Sequence, residues 1–109
     1  MALLVQKYGG SSVGTLDRIR HVASRIITAK NQGHQVVVAL SAMQGETDRL
    51  IAMAEALAPE PAAREYDMLV ATGEQVSISL LTIALNEMGC KARSYTGFQV
   101  GIQTDATHT

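Results

Sequence analysis

A single cysteine, Cys90, leaves the chain without an internal disulfide or a multi-cysteine metal site, so apolar burial alone must hold the fold. An excess of charge of one sign is also missing. Nine Lys plus Arg stand against 10 Asp plus Glu, a net charge of −1, and they are scattered. There is no extended basic face for nucleic acid or an anionic membrane, and no acidic tail for a basic partner. Small anionic ligands are not excluded. The longest fully apolar runs, such as Val36 to Leu40, fall far short of the roughly 20 residues that span a bilayer. Met1-Ala2-Leu3-Leu4-Val5-Gln6-Lys7 lacks the basic start of a signal peptide, so a cytoplasmic location without membrane is expected. No repeat or low-complexity segment occurs. What is present, 47% hydrophobic and 17% charged residues over 109 positions, describes one soluble globular domain or part of one, and excludes disorder.

Two short apolar runs, Leu3 to Tyr8 and Val36 to Leu40, read as strands. Between them Leu16, Ile19, Val22, Ala23, Ile26 and Ile27 recur at helical spacing. Thr15 suits the cap of that helix, Asp17 its positive end and Gly33 a left-handed stop. Strand, helix and strand in that order predict a right-handed βαβ unit with parallel strands. A second helix is expected from about Asp48 to Ala58, with Leu50, Ile51, Ala54 and Leu57 inward and a stop at Pro59-Glu60-Pro61. From Ala62 to Met88 the pattern predicts two helical pieces hinged near Thr72-Gly73. The second piece is apolar almost all round and is expected to be buried on most sides. Gly89 ends it, Lys91 to Tyr95 reads as a third strand, and a turn at Thr96-Gly97 leads to a weak extended segment through Val100 and Ile102. The alternation predicts an α/β sheet covered on both faces, and because the chain stops at Ala106-Thr107-His108-Thr109 without a closing element it is expected to be a fragment of a larger domain.

The chemistry concentrates at the strand ends. Lys7-Tyr8-Gly9-Gly10-Ser11-Ser12-Val13-Gly14 joins the first strand to the first helix, where open α/β sheets bind ligands. Its glycines allow backbone N–H groups close to an anion, and Lys7 can bring an ammonium to the same oxygens; a plain tight turn with a surface lysine explains the same pattern. The spacing is neither G-x-G-x-x-G nor a Walker A loop. Ser41 to Asp48 lies on the same sheet edge; Ser41 and Thr47 can hydrogen-bond a substrate, or serve as a turn residue and an N-cap. Glu74 is either an N-terminal charge partner of its helix or a receptor for an ammonium group. His21, His34 and His108 have no metal-ligand spacing and read as surface residues. The methionines and Cys90 read as filling.

Taken together, Val5-Gln6-Lys7-Tyr8-Gly9-Gly10-Ser11-Ser12-Val13, Ser41-Ala42-Met43-Gln44-Gly45-Glu46-Thr47-Asp48-Arg49-Leu50 and Thr72-Gly73-Glu74-Gln75-Val76 resemble the aspartate kinases, members of the amino-acid kinase superfamily, and the second loop is most similar to the monofunctional bacterial ones. The resemblance runs in order across nearly the whole chain. It implies a three-layer αβα sandwich with a mainly parallel sheet, the amino-acid kinase or carbamate kinase-like fold, of which residues 1–109 are the N-terminal portion. It implies transfer of the ATP γ-phosphoryl group to the side-chain carboxylate of L-aspartate, with Lys7, Gly9, Gly10 and Ser11 on the phosphoryl group and Lys7 catalytic. It places Ser41 near the phosphoryl group and substrate, Thr47 on aspartate and Glu74 on its α-ammonium group. Mg²⁺ is then held mainly by the nucleotide, with no protein metal site. The same resemblance places the nucleotide-binding half, a substrate-gripping arginine and the ACT regulatory domains beyond position 109. It makes the complete protein a homo-oligomer, and the 109-residue piece inactive and prone to self-association. A kinase for glutamate, acetylglutamate, carbamate or a nucleoside monophosphate would share the glycine loop without requiring Thr47 and Glu74 together. A noncatalytic anion-binding module would retain the loop alone.

Overall fold

The computed structural model describes residues 2–97 and 99. In chain order these form β1 (Leu3–Tyr8), a 3-10 turn (Gly10–Val13), α1 (Leu16–Asn31), β2 (Gln35–Leu40), α2 (Glu46–Leu57) and α3 (Ala63–Glu87). β1 and β2 pair in parallel, with Leu3 opposite Gln35 and Tyr8 opposite Leu40, so α1 is the crossover of a βαβ unit. The α/β class with a parallel sheet is the one expected.

Local chemistry sets the ends of α1. Thr15 is extended, its Oγ1 accepts the Arg18 N–H at 3.1 Å, and Asp17 stands in the first turn. Gly33, with φ +91°, turns the chain toward β2. Ile19, Val22, Ala23 and Ile26 are buried with Tyr8, Val13, Leu81 and Leu85. Leu16, grouped with that stripe by its spacing, is exposed, because the first helical side chain leans N-terminally past the packed face.

The break expected at Thr72-Gly73 does not occur, and α3 is one helix of 25 residues. Gly73 is buried inside it, where an added Cβ would lie 3.0 Å from Ala42 Cβ and 3.4 Å from Leu50 Cδ1. It is a packing contact where local propensity indicates a breaker. By length and composition α3 is long and apolar enough to cross a bilayer. Here its Leu81 and Leu85 join the core with α1 instead, although Val76 and Ile83 are exposed, so burial on most sides is not reached.

α2 starts at Glu46, two residues before the expected Asp48, because Gly45 at φ +82° takes the capping position. Leu50 is buried, and Leu57, the last helical residue before the proline pair, points to solvent. Gly89, φ +86°, follows the end of α3. Lys91 to Tyr95 is not a strand, since β2 pairs with β1 alone among the described residues. A groove of ≈ 730 Å³, lined by Val36 to Leu40 and by Cys90 to Gly97, separates the segment from β2, and an extended segment without a hydrogen-bonded neighbour is no strand. Thr96 and Gln99 do form the expected turn, each backbone N–H donating to the other's side chain at 2.9 and 3.2 Å. Val100, Ile102 and the polar tail with His108 lie outside the described residues.

Tyr8, Val36, Val38 and Leu40 face α1 and α3. The opposite sheet face, expected to be covered, is open among the described residues, with Leu3 64% and Val5 73% exposed. At roughly 25 cal/mol per Å², about 400 Å² of such surface forgoes about 10 kcal/mol of burial, the size of a small domain's whole stability. The 109-residue chain on its own is therefore expected to self-associate, or to melt at low temperature. Light scattering and thermal melting check this, and a monodisperse monomer at high concentration with a cooperative melt in the ordinary range for a small domain would exclude it.

Candidate functional site

Parallel pairing puts the C-terminal ends of β1 and β2 on one edge, and the loops leaving them touch there. The Ser41 N–H donates to the Tyr8 carbonyl at 3.1 Å, and the Gln44 N–H donates to the Gly10 carbonyl at 3.1 Å. Gly10 has no room for a side chain, since an added Cβ would sit 3.0 Å from the Ala42 carbonyl oxygen and 3.4 Å from Gln44 Cα. Gly9 is the reverse case, with nothing within 4 Å of an added Cβ. It is the open side of the loop. The Ser12 N–H donates to the Gly9 carbonyl at 3.1 Å and the Gly14 N–H to the Ser11 carbonyl at 3.4 Å. The N–H groups of Gly10 and Ser11 thus precede the turn's own hydrogen bonds, the arrangement that leaves amides available to an anion. Val13, fully buried, anchors the turn in the core.

α3 forms the third side. Its Gly73 rests against Ala42, and one turn later Ser77, with 0% exposure, places its Oγ 2.7 Å from the Ser41 carbonyl oxygen and 3.0 Å from that of Glu74. The backbone of Ser41 is therefore held on both sides, by β1 through its N–H and by α3 through its carbonyl.

The charged groups reach this edge from different layers. Lys7, opposite Ala39, is exposed on the open face of the sheet, whereas Glu74 is exposed on α3 on the helical side. Neither has an ion-pair partner among the described residues, in contrast to Asp17–Arg20, Glu46–Arg49 and Arg64–Glu65. Hydrogen bonding by Arg49 holds the Glu46 carboxyl below the usual carboxylate range, against a smaller opposing effect of burial. Thr47 is half-buried in the first turn of α2, and because Gly45 occupies the cap, the N-cap alternative for Thr47 falls. His21 is exposed, while His34, expected at the surface, is half-buried with its Nδ1 unpartnered. It precedes β2 and so lies at the far end of the strands. Among the described residues no three of His, Cys, Asp and Glu gather as a metal set. The two strand-end loops thus meet as their parallel order implied, and the segment around Gly73 of α3 packs against them. Ala42, Gly73 and Ser77 were not singled out as contacts; the only signal for them is a run of small residues, Gly73 and Ser77 one helical turn apart.

A profile of the amino acid kinase family matches residues 2–109. The chain belongs to that family. It is 56% identical over 108 residues to aspartokinase 2 of Bacillus subtilis (strain 168), covering 99% of this chain and 26% of that protein. It is 53% identical over 109 residues to an aspartokinase of Pseudomonas aeruginosa, covering 100% and 26%. The crystal structure of aspartate kinase from Synechocystis superposes with a TM-score of 0.78 at 52% identity, covering 79% of this chain and 15% of that one. The chain spans about a quarter of the length of these curated amino acid kinase relatives.

Gly73 supplies a test of the three-way contact. Alanine would favour the helix by about 1 kcal/mol, but its Cβ would meet Ala42, which is itself buried and hemmed in by Gly10, and overpacking costs about 1–3 kcal/mol. Gly73→Ala is expected to lower the melting temperature, and Ala42→Gly in the same chain to recover part of the loss. A double-mutant cycle with no coupling would remove the contact from the account.

Proposed function

We propose that these residues form the N-terminal part of the catalytic domain of an aspartate kinase. The reaction is ATP-dependent phosphorylation of the side-chain carboxylate of L-aspartate to 4-phospho-L-aspartate, at the head of lysine, threonine and methionine biosynthesis. The observation that carries this reading is the meeting of the glycine loop, the Ser41–Gly45 loop and the Glu74 turn of α3 at one sheet edge. Relatives named aspartokinase at over 50% identity support it.

The chemistry needs little from the side chains beyond charge and placement. The acceptor is a carboxylate, ionised at neutral pH, so no general base is required. Its oxygen forms a bond to the γ-phosphorus as the bond from phosphorus to the β,γ-bridging oxygen breaks and ADP leaves with the electron pair; no proton moves. The obstacle is repulsion between anions. Lys7 offers an ammonium that no carboxylate among the described residues neutralises, and the leading amides of Gly10 and Ser11, beside the open Gly9, offer dipoles to the same oxygens. Ser41 borders the phosphoryl group and substrate, Thr47 keeps a hydroxyl unused by capping for aspartate, and Glu74 receives the α-ammonium group. Mg²⁺, bound with the nucleotide and held mainly by its phosphates, would supply further charge compensation. The remaining three-quarters of the protein supplies the nucleotide-binding half, and the complete protein works as a cytoplasmic homo-oligomer.

A substrate panel on the complete protein tests the reading, with aspartate expected to be phosphorylated in preference to glutamate, acetylglutamate, carbamate and nucleoside monophosphates. In that protein Lys7→Ala is expected to lower kcat about 10²-fold or more, because the lost charge stabilisation strengthens as the phosphoryl group transfers. A rise in the aspartate KM with kcat intact would contradict the role. Glu74→Ala is expected to raise the aspartate KM strongly and leave the ATP KM nearly unchanged; equal losses for both substrates would indicate misfolding. The isolated 109-residue chain is expected to be inactive in a hydroxamate assay, since misplacement of reacting groups alone costs about 10²-fold. Turnover above contaminant level would refute that expectation.

A further inference from the structure

We infer that Ser77 is a positioning residue of the aspartate site, its hydroxyl holding the Ser41 carbonyl and so fixing the Ser41–Gly45 loop against the turn of α3 that carries Glu74. The inference rests on the aspartate kinase reading above.

Ser77 is the buried polar side chain among the described residues, at 0% exposure. A serine inside a helix ordinarily turns its hydroxyl back on its own preceding turn, and that acceptor is available here, the Glu74 carbonyl at 3.0 Å. The Ser41 carbonyl lies closer, at 2.7 Å. A carbonyl oxygen only accepts and a hydroxyl has one proton, so Ser77 is the donor and the shorter bond is the one between distant parts of the chain. Alanine would suit the helix better and would bury no hydroxyl. The serine therefore serves the loop more than the helix.

The consequence is geometric. Tyr8 fixes Ser41 through its N–H, and Ser77 fixes the next peptide through its carbonyl, so the residue proposed to border the phosphoryl group has little freedom to tilt. Glu74, proposed to hold the α-ammonium group, sits one turn away on the same helix. One hydroxyl thereby sets the spacing between the two ends of the amino-acid substrate. Loosening it should affect aspartate more than ATP.

Ser77→Ala in the complete protein, read by steady-state kinetics, is expected to lower kcat/KM for aspartate about tenfold, the loss of one buried hydrogen bond, with the ATP KM within about twofold. Ser77→Cys, whose thiol is a weak donor, should lie between Ala and Ser. Thr82→Val is the control, because Thr82 is on the same helix and its hydroxyl bonds the Ile78 carbonyl at 2.8 Å; it should change the melting temperature about as much as Ser77→Ala and leave both KM values in place. Hydrogen exchange of the Gln44 amide, which pairs with the Gly10 carbonyl, should quicken about tenfold in Ser77→Ala alone. A Ser77→Ala protein that melts lower yet keeps its aspartate kinetics and its Gln44 exchange rate would make Ser77 merely structural and overturn the inference. A wild-type protein that does not phosphorylate aspartate would overturn the functional reading and this role with it, a result distinct from an active wild type whose variants are unaltered.

Discussion

At Ala42 three distant parts of the chain come so close that two of them carry no side chain. Gly10 faces the Ala42 carbonyl and Gly73 faces its methyl group, each with an added Cβ at 3.0 Å. Interiors packed as densely as crystals leave no slack for even one methylene at such a point. The glycine loop, the loop after β2 and the middle of α3 are consequently held in one mutual position, and the hydrogen bonds from Gln44 to Gly10 and from Ser77 to Ser41 are made only in that position. The small residues permit the approach, and the polar contacts set its register.

Everything upstream serves to bring that point to the sheet edge. Two paired strands have little stability of their own, and β1 and β2 stand because Tyr8, Val36, Val38 and Leu40 are covered by α1 and α3. α3 then does two jobs along its length. Its C-terminal half, through Leu81 and Leu85, is core. Its middle, through Gly73 and Ser77, is the floor of the candidate site. A hinge between them would separate burial from positioning, and an unbroken helix transmits one to the other.

What was legible in the sequence divides along the same line. Features with local causes were readable: the Thr15 cap, the left-handed Gly33, the helix end at Gly89, and the hydrophobic stripe of α1. Features with distant causes were not. Gly73 has the propensity of a breaker, and only its proximity to Ala42 reveals the packing role. Lys91 to Tyr95 has strand composition, but a strand is a pairing, and β2 lies across a groove from it. Thr47 has the chemistry of a cap, yet the left-handed Gly45 begins the helix earlier. At the candidate site, Lys7, Gly9, Gly10, Ser11, Ser41, Thr47 and Glu74 could be nominated from the sequence because they carry recognisable chemistry in a recognisable order. Ala42 and Ser77 were invisible for the opposite reason, since a methyl and a hydroxyl acquire meaning only from what they touch.

The pattern of charge pairing extends the argument to the proposed reaction. Two unit charges about 4 Å apart interact by about 4 kcal/mol at the effective dielectric of a protein surface, so a carboxylate beside Lys7 would largely cancel the potential that a phosphoryl group meets. The acidic residues nearest in sequence to the two loops are engaged elsewhere: Asp17 with Arg20 and Glu46 with Arg49. The Arg49 bond keeps Glu46 ionised and occupied, so its negative charge is met within α2 and is not left facing the glycine loop. Glu74, which like Asp48 has no ion-pair partner among the described residues, approaches from the helical layer while Lys7 leaves from the open sheet face. An amino acid that offers an ammonium at one end and a carboxylate at the other is complementary to that separation, and a fold that let the two side chains pair with each other would lose both proposed roles at once.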